Sequence, residues 1–115
     1  MVRMDAYDIL QPDAVVVGVS GIRKIAALAD IAGKQMIGHH GYSGVGLAAH
    51  LHICASTTNA PYIEYFYDPP GFTREVFQGL LSEPLNVDWN GYIHLPHKPG
   101  LGVELDEDFI QRYRE

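Results

Sequence analysis

The 115-residue sequence is 47% hydrophobic and 19% charged, and its formal net charge is −6 at pH 7. These values are typical of one soluble, globular domain and argue against an intrinsically disordered chain. Eight lysines and arginines against 14 acidic residues also argue against nucleic acid and anionic membrane surfaces as partners.

Cysteine content and hydropathy indicate the compartment in which the protein works. The single cysteine, Cys54, excludes an internal disulfide and fits a reducing environment. No stretch approaches the roughly 18 apolar residues of a membrane span, and the N-terminus has no long apolar core behind a basic patch. We therefore expect a cytoplasmic protein without a membrane partner.

The chain begins with strand signals. We predict a strand at Tyr7–Leu10, and Ala14–Val17 is also strand-like because of its valines. Pro12 lacks an amide donor and is unfavourable in a central strand, so the pattern leaves open whether Asp13 ends one strand or interrupts a longer one. We place Asp13 at the strand end, with the valines leading through Gly18 to a helix.

Two amphipathic helices alternate with two further strands. Ser20 is expected to cap the first helix and Gly33 to end it. The apolar face of this helix consists of Ile22, Ile25, Ala26 and Ala29. Strands are predicted at Met36–His39 and Tyr62–Tyr67, and the helix between them presents Leu47, Ala48, Leu51, Cys54 and Ala55. This alternation is typical of α/β proteins with right-handed parallel crossovers.

The C-terminal region, after Pro70, has a different pattern. A short helix or turn is predicted at Thr73–Leu81. A hairpin follows, in which Leu85–Trp89 and Tyr92–Leu95 flank an Asn90-Gly91 turn.

The last residues predict a helix. Asp106 is expected to cap it, and Leu105 and Ile110 have the spacing of a hydrophobic staple across that cap. We expect Phe109 and Tyr113 to pack inward.

Three titratable residues, Asp13, His39 and Glu64, each fall on one of the three predicted strands. Because the ends of parallel strands meet at one edge of a sheet, we expect their side chains to lie close together. A carboxylate beside an imidazole raises the pKa of the ring and fixes its tautomer, so Asp13 and His39 would form a general base. Glu64 would hydrogen-bond a substrate oxygen or act as a second acid. Spacing alone leaves a purely structural role open for each residue.

Other histidines compete for these roles. His40 is the alternative to His39, since adjacent strand residues point to opposite faces, and alternation does not choose between them. His50 and Cys54 stand at i and i+4 of the second helix, a spacing that can hold a metal, but no further cysteine or acidic ligand is near and core packing is favoured. The remaining histidines near the hairpin are expected at the surface: His94 and His97.

Four segments carry a resemblance to a known family: DILQPDAVVVG, MIGHHGYSGVGLAAHL, APYIEYFYDPP and PGLGVELDED. In this order they resemble the C-terminal part of the enolase superfamily, in its mandelate racemase-like branch. The resemblance covers nearly the whole chain. It implies a (β/α)8 barrel with a capping domain and abstraction of the proton α to a carboxylate, with an essential magnesium ion.

The resemblance assigns a catalytic role to each site residue. The aspartate of the family's QPD-like motif is Asp13, the dyad aspartate. The histidine of its PHG-like motif is His39, the base, with Gly38 in place of the proline and His40 after it as a candidate substrate contact. The glutamate of its LEY-like motif is Glu64, which would help to stabilise the enolate intermediate.

The length of the chain limits what it supplies of such an enzyme. A whole barrel needs about 250 residues, so this chain accounts for about three strands of eight. We predict that residues 1–70 form the C-terminal part of the barrel, with its last three strands and two or three helices. Residues 71–115 form a hairpin and helix extension that packs on a capping domain. The family's metal ligands and second-strand lysine fall outside these segments, so this chain is not expected to bind magnesium strongly.

Two functions are consistent with these features. The first is the C-terminal portion of a magnesium-dependent racemase or dehydratase that acts on an acid sugar or α-hydroxy acid and is inactive in isolation. The second is a stand-alone, non-catalytic assembly or binding module derived from that barrel. Three parallel strands leave open edges, so we also predict a homo-oligomer or association with a complementary fragment. A small carboxylate would bind once the barrel is complete.

Overall fold

The computed structural model describes residues 5–114. In chain order its elements are β1 (Ile9–Leu10), α1 (Ala14–Ile31), β2 (Gln35–Met36), α2 (Gly44–Ala55), α3 (Arg74–Gln78) and α4 (Glu107–Arg112). The first four alternate strand and helix, as the sequence predicts, and the fold is of the α/β class. Among residues 5–114, no helix combines the length and apolar character needed to cross a bilayer.

The sheet is parallel and small. The register pairs Ile9 with Gln35 and Leu10 with Met36. Beyond the strands, the Pro12 carbonyl accepts the amide of His39 at 3.0 Å. A single parallel bridge between Gly38 and Ile63 adds a third segment. Within the described residues the predicted strand Tyr62–Tyr67 is thus reduced to one bridge, which pairs it with the segment that follows β2.

The start of α1 corrects a prediction from the sequence. Ala14–Val17, predicted as strand-like, form the first turn of α1, because the Asp13 carboxylate caps it by accepting the amide of Val15 at 2.7 Å. Gly18, with a φ of 73° and a ψ of 161°, interrupts the helix. Ser20 lies within α1 and does not cap it. The capping bond to Asp13 satisfies the first-turn amide of Val15, and this outweighs the preference of valine for strands.

The end of α1 follows the sequence prediction. Gly33 takes a φ of 65°. Its amide donates to the Asp30 carbonyl at 2.9 Å, and the Lys34 amide donates to the Ala29 carbonyl at 2.8 Å. These two bonds form a Schellman motif, which needs a left-handed residue at the position of Gly33. The inward face of α1 is as predicted, with Ile25 half-buried and three residues buried: Ile22, Ala26 and Ala29.

The core lies between α1, β2 and α2. It consists of Ala14, Ile22, Ala26, Met36, Ala49 and Ile53. Much of the predicted apolar face of α2 is buried, namely Leu47, Ala48 and Leu51. Cys54 is half-buried and Ala55 is exposed. His50 is fully buried, which confirms that it packs in the core.

The C-terminal region packs through aromatic rings. Phe66, Phe72 and Phe77 form a cluster with ring centroids 4.8, 5.0 and 5.5 Å apart. The predicted hairpin is present as one antiparallel bridge between Val87 and Ile93. The turn differs from the predicted Asn90-Gly91 pair: the Asp88 amide donates to the Tyr92 carbonyl at 2.7 Å, so three residues, 89–91, form it. Gly91 takes a φ of 86° but Asn90 is not left-handed, so this is not the two-residue turn that Asn-Gly favours.

The terminal helix α4 begins where the sequence predicts. Asp106 Oδ1 accepts the amide of Phe109 at 2.8 Å. The Phe109 ring packs on Gly79, where a Cβ would lie 2.6 Å from two ring carbons. The prediction that Tyr113 packs inward is wrong. Tyr113 is the C-cap residue of α4. Its ring centroid lies 4.7 Å from that of Phe109, and the residue is exposed.

Candidate active site

Two of the predicted site residues meet at the carboxyl edge of the sheet. The ladder bond from His39 to the Pro12 carbonyl places Asp13 and His39 side by side. His39 Nδ1 lies 3.0 Å from Asp13 Oδ2. The Asp13 side chain is 7% exposed, whereas that of His39 is 51% exposed. The pair therefore combines a buried carboxylate with an imidazole that solvent or a substrate can reach.

The surroundings of Asp13 keep its carboxylate ionised. Burial by itself raises the pKa of Asp13. The hydrogen bonds from His39 and the Val15 amide, with the nearby His50 and His39 rings, outweigh this effect and hold the pKa below its ordinary value. An ionised carboxylate accepts hydrogen bonds and donates none. In the neutral ring, His39 Nδ1 therefore carries the proton and Nε2 keeps a free lone pair, which is the state required of a general base.

Glu64 reaches the same edge through the backbone. Its Oε2 accepts the amide of His40 at 2.7 Å. The bridge from Gly38 to Ile63 places the two segments in register, so Glu64 lies beside the residues that follow Gly38. The structure thus brings all three predicted residues to one edge, with Glu64 bonded to the neighbour of His39.

His40, the alternative to His39, is buried. Its side chain is 2% exposed, and burial with the nearby His50 ring lowers its pKa, against the opposing effect of Asp13 and Glu64. The rings of His40 and His50 pack edge to face with centroids 5.9 Å apart. This burial favours His39 as the imidazole that meets a substrate, and it does not favour a substrate contact through the His40 ring.

His50 contacts the site from α2. Its Nε2 accepts the amide of Ala14, the residue after Asp13, at 3.1 Å. Burial lowers the pKa of His50, and a neutral ring is what this bond needs, because a protonated Nε2 cannot accept. The contact spans 36 residues of sequence. Sequence spacing gives no signal for it, since it depends on how α2 packs against the start of α1.

The described residues do not form a magnesium site. Within residues 5–114 no group of three or more His, Cys, Asp or Glu side chains is placed to hold a metal ion. Both oxygens of Asp13 and one oxygen of Glu64 accept hydrogen bonds from this chain. Magnesium prefers about six oxygen ligands in near-octahedral geometry, which these two carboxylates do not offer. The described residues therefore do not fit the metal.

The remaining candidates have structural roles. Cys54 lies 3.9 Å from the Tyr62 carbonyl, and burial raises the pKa of its thiol, which suits packing better than metal binding. His94 is exposed and bonds to Asp88 at 3.1 Å. His97 is also exposed, so both hairpin histidines lie at the surface, as predicted.

Comparison with known proteins finds the same family over almost the whole chain. Residues 1–109 match the family described as enolase C-terminal domain-like. The chain is 30% identical to arabinonate dehydratase from Saccharolobus solfataricus, over 99% of this chain and 29% of that protein. It is 37% identical to D-galactarolactone cycloisomerase from Agrobacterium fabrum, over 95% of this chain and 30% of that protein.

A solved structure has the same fold as this chain. The mandelate racemase/muconate lactonizing enzyme from Sulfitobacter sp. superposes with a TM-score of 0.83 at 31% identity. The match covers 97% of this chain and 27% of that structure. The chain thus spans less than a third of the length of each of these relatives.

Proposed function

The chain belongs to the enolase C-terminal domain-like family, and from this membership we propose that it supplies the Asp13–His39 acid–base side of a racemase or dehydratase active site. The substrate class is the carboxylate of an acid sugar or α-hydroxy acid. The observation that carries the proposal is the 3.0 Å contact between a buried, ionised Asp13 and the exposed ring of His39.

The geometry suits removal of a proton from carbon. His39 Nε2 takes the proton α to the substrate carboxylate, and Nδ1 keeps its proton on the bond to Asp13. The charge that develops on the ring faces the Asp13 carboxylate, which is held in place by the Val15 amide. Delivery of a proton to the opposite face of the carbon, by an acid from outside residues 1–115, would complete a racemisation. Transfer of the proton from Nε2 to a leaving hydroxyl would release water and complete a dehydration.

Glu64 is proposed to act on the oxygen of the intermediate. One carboxylate oxygen is fixed by the His40 amide, which orients the side chain. The other oxygen would act in its carboxylic acid form, whose O–H donates to the substrate oxygen that gains charge when the α proton leaves. A hydrogen bond placed where charge develops stabilises the transition state more than the ground state.

The rest of the active site is proposed to come from outside residues 1–115. In this family magnesium serves as the Lewis acid that stabilises the enolate, and the described residues of this chain do not fit it. We propose that residues 1–70 complete a (β/α)8 barrel with further strands and that residues 71–115 pack on a capping domain. The isolated chain would then be inactive, and its location would be the cytoplasm.

A hybrid enzyme tests this function. Residues 1–109 replace the matching C-terminal segment of the arabinonate dehydratase from S. solfataricus, and the hybrid is assayed with magnesium on arabinonate and other acid sugars. We expect turnover by the hybrid and none by the isolated 115-residue chain. A folded hybrid that turns over none of these acids would contradict the proposed chemistry. Turnover by the isolated chain would contradict the proposal that part of the active site comes from outside residues 1–115.

A further inference from the structure

His50 lies next to the dyad but takes no part in the proposed proton transfer. Its imidazole is fully buried on α2. Nε2 accepts the amide of Ala14 at 3.1 Å and lies 4.0 Å from Asp13 Oδ1. Because Ala14 directly follows Asp13, this bond fixes the backbone from which the dyad aspartate projects.

Gly38 makes room for the His50 ring beside the other half of the dyad. A Cβ at position 38 would overlap His50 Nδ1 and lie 2.7 Å from Cε1. Gly38 directly precedes His39 and is bridged to Ile63, the residue before Glu64. The ring therefore touches the segment that carries His39 while it holds the segment that carries Asp13.

The bond to Ala14 also fixes the protonation of His50. Since Nε2 accepts a hydrogen bond, the proton of the neutral ring is on Nδ1. A hydrocarbon side chain at position 50 would leave the buried Ala14 amide without a partner, which costs free energy comparable to a lost hydrogen bond. Packing alone would require only a side chain of the right volume, whereas this contact requires an acceptor at one position.

We propose that His50 is the positioning residue of the Asp13–His39 dyad. Its Nε2 holds the Ala14 amide, and its ring on Gly38 sets how the ends of the two neighbouring strands lie against each other. The inference rests on the proposed function for the role of the dyad. Its test measures hydrogen bonds and tautomers, so it can fail or succeed independently of turnover.

The first experiment uses the wild-type 115-residue chain, labelled with 15N. We expect a scalar coupling across the hydrogen bond between the Ala14 amide nitrogen and His50 Nε2. We also expect 15N chemical shifts that place the ring proton on Nδ1 in both His50 and His39. Absence of the coupling, or a His50 proton on Nε2, would overturn the inference.

Two substitutions at position 50 separate positioning from packing. His50→Gln keeps an acceptor near the place of Nε2, and His50→Leu keeps bulk without an acceptor. We expect the Ala14 amide to exchange about ten-fold faster in His50→Leu, which corresponds to about one hydrogen bond. In the same variant we expect the proton of the neutral His39 ring to be no longer held mainly on Nδ1. His50→Gln retains slow exchange at Ala14 and the His39 tautomer.

A merely structural role predicts a different result. His50→Leu would then lower the global free energy of unfolding while the tautomer of His39 stays unchanged, and this result would contradict the proposal. If His50→Leu does not fold, the proposal is tested by the scalar coupling in the wild type and by the Ala14 exchange and His39 tautomer in His50→Gln. Both proteins are measured in the folded state. Loss of Ala14 protection with an unchanged His39 tautomer in His50→Gln would also contradict it.

Discussion

Asp13 has two roles that different substitutions separate. Its carboxylate caps α1 through the Val15 amide and bonds to His39. Asparagine caps helices about as well as aspartate, whereas alanine does not. We therefore expect Asp13→Ala to lower the free energy of unfolding by about 1 kcal/mol and Asp13→Asn to lower it by less than about half of that.

Urea denaturation of the 115-residue chain measures this difference. The matched control is Asp8→Ala, since Asp8 is exposed and lies outside the cap. Equal destabilisation by Asp13→Ala and Asp13→Asn would show that the cap is not what Asp13 contributes to stability.

The buried histidines predict sensitivity to mild acid. Burial lowers the pKa values of His40 and His50 below the ordinary value of 6.5, although Asp13 and Glu64 oppose the shift. The unfolded chain then takes up protons that the folded chain does not. Their contribution to stability is complete above about pH 6.5 and falls as the pH drops below it, by at most about 1.4 kcal/mol per pH unit for each group.

Urea midpoints at about pH 7.5, 6.5 and 5.5 measure this dependence. We expect His50→Gln to flatten the decline between the two lower pH values, because glutamine does not titrate. His97→Gln, at an exposed histidine, should leave the slope as in wild type. A wild-type midpoint that does not change over this range would refute the assignment of neutral, buried rings.

At the scale of elements, the contact between α2 and the segment that follows β2 depends on a glycine, Gly38. We expect Gly38→Ala to lower the free energy of unfolding by about 1–3 kcal/mol, because the new Cβ enters the space of the His50 ring. Gly71→Ala is the control, since a Cβ there meets nothing within 4 Å.

A double-mutant cycle identifies the source of this cost. In a His50→Ala background the ring is gone, and Gly38→Ala should cost little. The two substitutions are therefore expected to be strongly non-additive. Additive costs would mean that Gly38 is required for a reason other than the His50 ring.

The elements also show how far the sequence predicts this fold. The end of α1 and the start of α4 were predictable because local residues, Gly33 and Asp106, determine them. Ala14–Val17 and Tyr62–Tyr67 were not, because strand propensity does not report whether a partner strand is available. Within the site, the resemblance and the strand ends brought Asp13, His39 and Glu64 together. The bond from Ala14 to His50 depends on packing across 36 residues and has no local signature.

At the scale of the whole molecule, exposed apolar side chains predict association. On α1, Val16 is 69% exposed and Ile31 is 86% exposed, and Ile9 of β1 is exposed at the sheet edge. Apolar surface of this kind beside an open strand edge favours contact with a second copy or a complementary fragment. We expect sedimentation at micromolar concentration to show a species larger than a monomer.

Placing charged side chains on this apolar surface provides the matched test of association. Val16→Lys with Ile31→Lys should shift the population toward the monomer, whereas Trp89→Lys, at an exposed residue near the hairpin turn, should not. A monodisperse wild-type monomer would contradict the prediction.

Proton abstraction by His39 is most directly tested by loss of the α-deuterium from α-deuterated arabinonate in the folded hybrid enzyme. Replacing the base should slow this loss by about 10²- to 10⁴-fold in His39→Asn, while the surface variant His97→Asn retains the hybrid's rate. An unchanged rate of deuterium loss in His39→Asn would show that another group removes the proton.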